Sequence, residues 1–349
     1  MRQIDRLAGK RLVRRTVGIL AMTVSAWVAA QPGAFLVAPV VIEDKVAQRS
    51  VSDWLTRMHM ASRRRAYVGT FVVSAAGTLS SARIWHVCDG EQQMERVESL
   101  TGAPKFTFRR NDQVMTFLPE SRVAVAEKRA SLGLFPNLLQ ADGSSIAQFY
   151  KVRATGHERV AGFEADMLQL RPTDGWRFGY RVWTERKTGL VVKLQTVDAD
   201  GQVLEQTAFS ELQLDVPVSM AKLTRMMGNT EGYQIVKPDL VETTAAMEGW
   251  ALKNAVPGFK TMSCYKRSVG VVANARHDNT LQWIFSDGLA SVSLFIEAFD
   301  PLRHGQPGKL AMGATHTLTQ RSGDWWFTAV GEVPWRTLSA FAQGLERTK

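Results

Sequence analysis

The sequence has few of the residues and motifs that enzymes use for catalysis. Its 349 residues include two cysteines and six histidines, and no histidine lies at a metal-ligand spacing from another histidine or a cysteine. It has no nucleophile elbow, H-E-x-x-H zinc motif, P-loop, C-x-x-C pair or dinucleotide-binding glycine motif. We therefore expect a protein that is not an enzyme, with no catalytic, cofactor-binding or metal-binding residues.

Long apolar runs are confined to the beginning of the chain. Six lysines and arginines precede the run TVGILAMTVSAWVAA at 16–30, which ends in small residues. The run is shorter than the roughly 20 residues of a transmembrane helix and has the pattern of a secretory signal peptide. We predict cleavage of residues 1–30 after Ala30, which also removes part of the net charge of +10. If cleavage failed, the apolar run at 34–42 would extend the first into an anchor, although two prolines and a glycine disfavour one continuous helix.

The two cysteines, Cys88 and Cys264, are expected to lie in different domains. An exported protein enters an oxidising compartment, where thiols form disulfides. The sequence leaves three states open for this pair: free thiols, an intramolecular disulfide that joins the domains, and an intermolecular bridge in a homo-oligomer.

Segment 45–216 has the pattern of a large antiparallel sheet with few helices. It begins with a serine suited to an N-cap and with apolar residues at helical spacing, which predicts a helix that ends near residues 63–65. After this helix the apolar period is two, and turn residues separate short strands, with one hairpin turning at 75–77. The apolar segment 130–150 interrupts the strands, and together with the helix it would cover one face of a curved sheet.

The stretch GYRVWTERKTGLVVKLQTVDADGQVLEQ at 179–206 predicts three strands of this sheet. The middle strand is predicted to be one-sided. Leu190, Val192 and Leu194 share one face, and Val191, Lys193 and Gln195 face the other way. If the helices cover the apolar face only in part, an apolar groove remains.

The pattern changes after residue 216. Residues 217–240 are rich in methionine and poorly periodic, which predicts a linker with a short helix in SMAKLTRMM. Residues 241–349 predict a small antiparallel sheet and a terminal helix, with Pro334 near its first turn, where proline is tolerated. The predicted fold class is therefore α+β and mostly antiparallel β.

Apolar residues of the first domain are candidates for a lipid-binding site. A wall of aromatic side chains on a sheet suits an acyl chain or an apolar peptide, although each residue also suits an ordinary core. Basic and aromatic residues alternate in KFTFRR at 105–110, which we interpret as an amphipathic strand rather than a nucleic-acid site, since an exported protein meets little nucleic acid. The candidate lipid-binding residues are Phe106, Phe108, Phe117, Leu134, Phe135, Leu138, Phe149 and Trp183.

Several stretches follow one another in an order typical of one known family. They are WLTRMHMASRRRAYVGTFVVSAAG at 54–77, SARIWHVCDGEQQMERVESLTGAPKFTFRRNDQVMTFLP at 81–119 and GYRVWTERKTGLVVKLQTVDADGQVLEQTAFSEL at 179–212, then VPGFK, FSDGLASVSLFIE and GEVPWRTLSAFAQGLER. Together they resemble the RseB/MucB family, periplasmic regulators of envelope-stress sigma factors of the sigma-E/AlgU type. No single stretch is diagnostic, but the ordered set spans nearly the whole chain after residue 30.

The resemblance implies a large N-terminal half-barrel like that of the lipoprotein carriers and a small C-terminal sheet domain. It implies a periplasmic protein that binds the periplasmic domain of a membrane-spanning anti-sigma factor of the RseA/MucA type. The bound regulator would shield the anti-sigma factor from the site-one protease and keep the sigma factor inactive. Lipid or lipopolysaccharide-like ligands would displace it, with 217–240 as the hinge. The partner contacts, mainly in the C-terminal domain and linker, are not assigned to residues.

Two other functions compete with this one. A periplasmic carrier of lipids or lipoproteins would explain the apolar sheet, but it would not need the second domain. A hydrolase would need an activated nucleophile, and no residue stands out as one. The sequence therefore favours the regulator.

Overall fold

The computed structural model describes residues 51–90, 92–128, 135, 146–238, 240–268 and 279–348. The predicted signal peptide and the candidate residues Leu134 and Leu138 lie outside these ranges. No helix within them is both long and apolar enough to cross a membrane.

Helices are few in the described chain, and the first confirms the helix predicted from apolar spacing. The bounds are α1 (Val51–Arg64), α2 (Ile146–Phe149), α3 (Met220–Gly228) and α4 (Trp335–Gly344). Trp54, Leu55 and Met58 of α1 are buried, as their spacing on one face requires. Arg63 and Arg64 lie in the last turn, where positive charge complements the helix dipole.

Within the described residues, the first sheet has twelve strands and is open. Its strands are β1 (Tyr67–Ala75), β2 (Thr78–Cys88), β3 (Gln93–Ser99), β4 (Phe106–Arg110), β5 (Gln113–Leu118), β6 (Val123–Lys128), β7 (Tyr150–Val160), β8 (Phe163–Pro172), β9 (Gly179–Glu185), β10 (Val191–Val197), β11 (Val203–Leu214) and β12 (Gln234–Val236). The spatial order is β12-β6-β5-β4-β3-β2-β1-β11-β10-β9-β8-β7. Neighbours are antiparallel except β12, which runs parallel to β6. Two hydrophobic clusters join α1 to this sheet, so the strands pack around the helix.

The predicted hairpin between β1 and β2 is confirmed, with a turn at Ala76 and Gly77. Both residues have positive φ, of 49° and 76°, as a two-residue turn between twisted strands requires. Glycine adopts this conformation without strain, whereas alanine does so less readily.

The predicted one-sidedness of β10 is wrong. Val191 and Val192 are both buried, Val191 in one hydrophobic cluster and Val192 in another, and Leu194 packs with the cluster of Val191. The pairing register between β10 and β9 shifts between Val191 and Lys193. Such an irregularity rotates the following side chains relative to the preceding ones, so strict alternation fails at this point.

The segment predicted as a linker is largely ordered against the first sheet. The short helix predicted there is confirmed as α3, with the Ser219 Oγ accepting a hydrogen bond from the Lys222 N–H at 3.2 Å. The strand β12 follows and extends the twelve-stranded sheet next to β6. The irregular apolar pattern of residues 217–240 thus predicts α3, but it predicts neither β12 nor the packing of this segment on the first sheet.

In the part of the chain that the structure describes, the second sheet has seven strands and is accompanied by a two-stranded pair. Its strands are β13 (Leu240–Glu242), β15 (Lys260–Ser268), β16 (Asn279–Ser286), β17 (Ser291–Ala298), β18 (Gly308–Met312), β19 (Thr315–Ser322) and β20 (Trp325–Gly331), and the pair is β14 (Trp250–Leu252) with β21 (Leu345–Arg347). The terminal helix α4 packs against it through Leu338 and Phe341, both fully buried. These elements confirm the predicted fold class, a large N-terminal sheet around a few helices and a small C-terminal sheet with a terminal helix.

Candidate functional site

The described lipid-binding candidates fall into two groups. Phe135, Phe149 and Trp183 belong to the clusters around α1. Phe106, Phe108 and Phe117 belong to a separate cluster that α3 covers. The structure therefore does not gather the six residues into one cavity, and their role in lipid binding stays a prediction.

The group around α1 has the character of a packed aromatic core with two cationic neighbours. Phe135 lies 4.9 Å from Phe209, measured between ring centroids. The Arg177 guanidinium lies 4.2 Å from the centre of the Phe149 ring, and the Lys193 ammonium lies 4.2 Å from that of Trp183. Such cation–π contacts stabilise a ring at the edge of a core.

The group beneath α3 is rich in aromatic rings and thioethers. The rings of Phe108 and Phe117 meet edge to face, with centroids 5.8 Å apart, and both residues are buried. Tyr233, which follows α3, contacts Phe117 with centroids 5.1 Å apart. This face of the sheet is therefore occupied by the chain itself.

A buried ion pair joins the two sheets. Arg177, in the loop between β8 and β9, donates from Nε to Asp287 Oδ2 at 2.6 Å, and both side chains are 0% exposed. The Tyr150 hydroxyl donates to the same oxygen at 3.3 Å. The other oxygen, Oδ1, accepts the backbone N–H groups of Leu289 and Ala290 at 2.9 and 2.8 Å. Asp287 thus shapes its own turn and holds it against the first sheet.

A loop of each sheet also contributes an apolar residue that packs with the core of the other sheet. Leu289, from the turn after Asp287, is buried in the cluster with Trp54 and Leu55 of α1. In return, Trp176 packs against the core of the second sheet, and its carbonyl accepts a hydrogen bond from the Thr337 Oγ1 at 2.7 Å. This exchange, which we call the junction (Arg177, Asp287, Leu289 and Trp176), makes the two sheets mutually dependent.

A surface cavity of about 390 Å³ lies at the end of α1 and has a basic lining. Arg57, Arg64 and Arg65 line it together with the apolar Met60 and Ala61. Asp215 also lines the cavity and pairs with the Arg65 Nη1 at 2.8 Å, so part of the charge is neutralised. The residues of this lining carry more positive than negative charge, which suits an anionic group on a partner.

His86 lies in a fully buried polar network on the face of β2. Its Nδ1 donates to the Arg65 carbonyl at 2.6 Å, and its Nε2 lies 3.7 Å from the Glu95 Oε1. Glu95 in turn accepts a hydrogen bond from the Arg109 Nε at 2.8 Å. Burial lowers the pKa of His86 below its ordinary value of 6.5 despite the nearby carboxylate of Glu95.

We expect this burial to make stability depend on pH. Because the pKa of His86 is lower in the folded chain than in the unfolded chain, the unfolded state gains a proton first as the pH falls below 6.5. The free energy of unfolding should therefore decrease over that range, as measured by urea denaturation at successive pH values. His86→Asn, which can still donate to the Arg65 carbonyl, should weaken the dependence, whereas His157→Gln on the exposed edge strand should not. An unchanged pH slope in His86→Asn would show that His86 does not cause it.

The cysteines are both free thiols. Cys88 is half-buried and Cys264 is buried. Burial raises the pKa of Cys264 to about 11, so its thiol stays protonated and unreactive at neutral pH. Among the residues described, no group of three or more His, Cys, Asp and Glu could hold a metal ion.

The junction is the feature that the sequence does not predict. The stretch FSDGLASV forms the turn between β16 and β17. Nothing in the spacing indicates that its aspartate is fully buried against an arginine 110 residues earlier in the chain. An Asp-Gly turn usually faces solvent, and an apolar Leu289 directly after it is the only local sign of a second contact.

Comparison with known proteins gives matches over most of the chain. A family model described as the MucB/RseB N-terminal domain matches residues 50–227, and one described as the MucB/RseB C-terminal domain matches residues 244–346. The sigma factor AlgU regulatory protein MucB of Pseudomonas aeruginosa is 30% identical over 298 residues, which are 83% of this chain and 89% of that protein.

Solved structures of MucB are also similar to this chain over most of its length. A crystal structure of MucB in complex with MucA(peri) is similar with a TM-score of 0.64 and 27% identity, covering 85% of this chain and 99% of the other. A structure of the Pseudomonas aeruginosa MucA/MucB complex has a TM-score of 0.66, again with 27% identity and the same coverage.

Proposed function

Because the chain belongs to the MucB/RseB family, we propose that it binds the periplasmic domain of a membrane-spanning anti-sigma factor of the MucA type. By covering that domain it would shield the anti-sigma factor from proteolysis and keep the sigma factor inactive. The observation that carries this proposal is the similarity of both sheets, over 85% of the chain, to MucB in complex with MucA(peri). The names of the relatives describe regulatory proteins rather than enzymes.

The proposal places the protein in the periplasm. Residues 1–30 would act as a signal peptide, and the chain would be soluble after cleavage. Within the mature chain, residues 45–216 would form the half-barrel domain, 217–240 the linker and 241–349 the C-terminal domain that carries most of the partner contacts. The packing of α3 and β12 on the first sheet implies that any hinge in 217–240 opens only when these contacts break.

Release by an apolar ligand is part of the same proposal. A lipid or lipopolysaccharide-like molecule would shift the balance only by binding the released state more tightly than the partner-bound state. The better-placed candidates are the half-buried Phe106, Phe135 and Phe149. Phe108, Phe117 and Trp183 are buried in packed clusters, so a ligand would reach them only after the chain rearranges.

A carrier function receives less support from the geometry. A carrier would need only the first sheet, yet Leu289 of the second domain completes the core around α1. The arrangement suits a protein whose two sheets work together on one partner.

The proposed function predicts a stable complex between the chain from residue 31 and the periplasmic domain of a MucA-type anti-sigma factor. We expect a 1:1 or higher-order complex to elute together in size-exclusion chromatography at micromolar concentration. The same experiment with a lipid-free albumin in place of the anti-sigma domain is the control for nonspecific adhesion. Separate elution of the two proteins, together with no heat of binding in calorimetry, would contradict the proposal.

A further inference from the structure

Three methionines and Leu223 pack α3 against the large sheet. Met220, Met226 and Met227 are half-buried and pack against the cluster that contains Phe108 and Phe117. Leu223 is the only residue of α3 that is fully buried, at 5% exposure. The docking of this helix therefore rests on Leu223 and on three thioethers, which make favourable contacts with aromatic rings.

The helix needs this docking in order to exist. It has nine residues, and an isolated helix of that length is unstable in water. Its cap, the Ser219 hydroxyl, satisfies one backbone N–H but does not provide a second contact with the sheet. If the apolar face of α3 loses its affinity for the cluster, the segment should unwind rather than swing out as a helix.

Half-burial leaves these side chains within reach of small oxidants. Met94 of the same cluster is 0% exposed and is therefore protected. Met115 of β5 is half-buried in this cluster, but it lies in the sheet and stays in place in variants of α3. Met247, Met262 and Met312 are 73%, 53% and 64% exposed and lie outside the cluster. The chain therefore has two sets of oxidisable methionines. The exposed set lies outside the cluster, and the half-buried set of α3 packs this helix against the sheet.

We propose that Met220, Met226 and Met227 are an oxidation site at which peroxide releases α3 from the large sheet. The thioether sulfur attacks one oxygen of hydrogen peroxide, the O–O bond breaks and an S–O bond forms. The sulfur is oxidised by two electrons to a sulfoxide, while the peroxide is reduced to water, which retains both of its protons. A sulfoxide oxygen is a strong hydrogen-bond acceptor, and placing it among Phe108, Phe117 and Met94 costs solvation that the cluster does not replace.

Release of α3 would free the connection between the two sheets. The helix and β12 occupy most of residues 220–236 and keep this connection short. Unwinding would lengthen it and uncover Phe108 and Phe117. Release of α3 can be measured on the isolated chain, without the anti-sigma factor.

Trypsin cleavage within α3 tests the proposal. Lys222 and Arg225 are exposed on the outer side of the helix but lie in helical backbone, which a protease cleaves only after unwinding. We expect peroxide treatment that converts the three methionines, as followed by peptide mass spectrometry, to accelerate cleavage at these two sites by about tenfold or more. Methionine sulfoxide reductase should restore the original rate, since this modification is reversible.

Two triple variants make the test specific. Met220→Leu/Met226→Leu/Met227→Leu keeps the apolar volume and removes the oxidisable sulfur, so its cleavage rate should not respond to peroxide. Met247→Leu/Met262→Leu/Met312→Leu should respond as the parent does. The proposal is overturned if oxidation of all three α3 methionines leaves the cleavage rate unchanged. It is equally overturned if the leucine variant of α3 responds like the parent.

Discussion

Replacing Asp287 with alanine is expected to lower the free energy of unfolding by about 3–5 kcal/mol, the range typical of breaking a fully buried ion pair. The Arg177 guanidinium would lose the buried carboxylate to which its Nε donates at 2.6 Å. Among the residues described, it would keep only the partly exposed Asp174 carboxylate and the Pro257 carbonyl as hydrogen-bond partners. It also leaves the N–H groups of Leu289 and Ala290 without their acceptor, which unsettles the turn that inserts Leu289 into the other core. The decrease in the free energy of unfolding is measured by urea denaturation, with tryptophan fluorescence as the signal.

Two further variants separate charge from turn geometry at this position. Asp287→Asn keeps a side-chain oxygen for the two N–H groups but removes the negative charge, so its loss should be smaller than that of Asp287→Ala. Asp112→Ala changes an exposed aspartate in the turn between β4 and β5 and should stay within about 0.5 kcal/mol of the parent. If Asp287→Ala cost less than about 1 kcal/mol, the junction would not hold the sheets together.

Replacing Arg109 with alanine is expected to have a similarly large effect, again about 3–5 kcal/mol. Arg109 and Glu95 have side-chain exposures of only 4% and 9%, and their hydrogen bond measures 2.8 Å. Without the arginine, the Glu95 carboxylate would stay buried beside Tyr67 and a neutral His86, which supply much less compensation for its charge. The free energy of unfolding in urea at pH 7 measures this effect.

Arg110 offers a matched control in the same strand. It follows Arg109 directly and therefore points to the opposite face of β4, where it donates to the Gln92 Oε1 at 2.7 Å. Arg110→Ala removes the same charge from a half-buried site with a neutral partner, so a loss below about 1 kcal/mol is expected. If Arg109→Ala and Arg110→Ala lowered the free energy of unfolding equally, the ion pair with Glu95 would contribute no more to stability than the hydrogen bond to Gln92.

Local patterns in the sequence predict the elements but not their long-range contacts. The apolar spacing from Trp54 to Met58 is a short-range property, and it correctly indicates α1. The Ala-Gly turn after β1 and the proline before α4 also act over a few residues, and both predictions are confirmed. The error in β10 arises because a register shift inserts one residue locally while the apolar pattern remains that of a regular strand.

The candidate site is predicted less well for a physical reason. An aromatic residue in a strand is equally suited to a cavity wall and to a core, and only the packing of distant segments decides between them. The sheet face with Phe108 and Phe117 is filled by α3, from a segment whose methionines gave a weak periodic signal. Likewise, Arg177 and Asp287 become a pair only because two loops from different sheets meet.

The junction also bears on how the function should be tested. A chain that ends near residue 216 would lack Leu289, which completes the core around α1, and it would lack α3, which covers Phe108 and Phe117. Such a fragment would lose stability as well as partner contacts. Point variants in the complete mature chain therefore give a cleaner separation of folding from binding.

The central claim is protection of the anti-sigma factor, and its most direct test is a rate of proteolysis. The periplasmic domain of a MucA-type anti-sigma factor would be cleaved by the site-one protease with and without the chain from residue 31. The account predicts that an excess of the chain slows cleavage by about tenfold or more, since a bound partner withdraws the substrate from the protease by mass action. An unchanged cleavage rate under conditions in which the added chain is folded would contradict it.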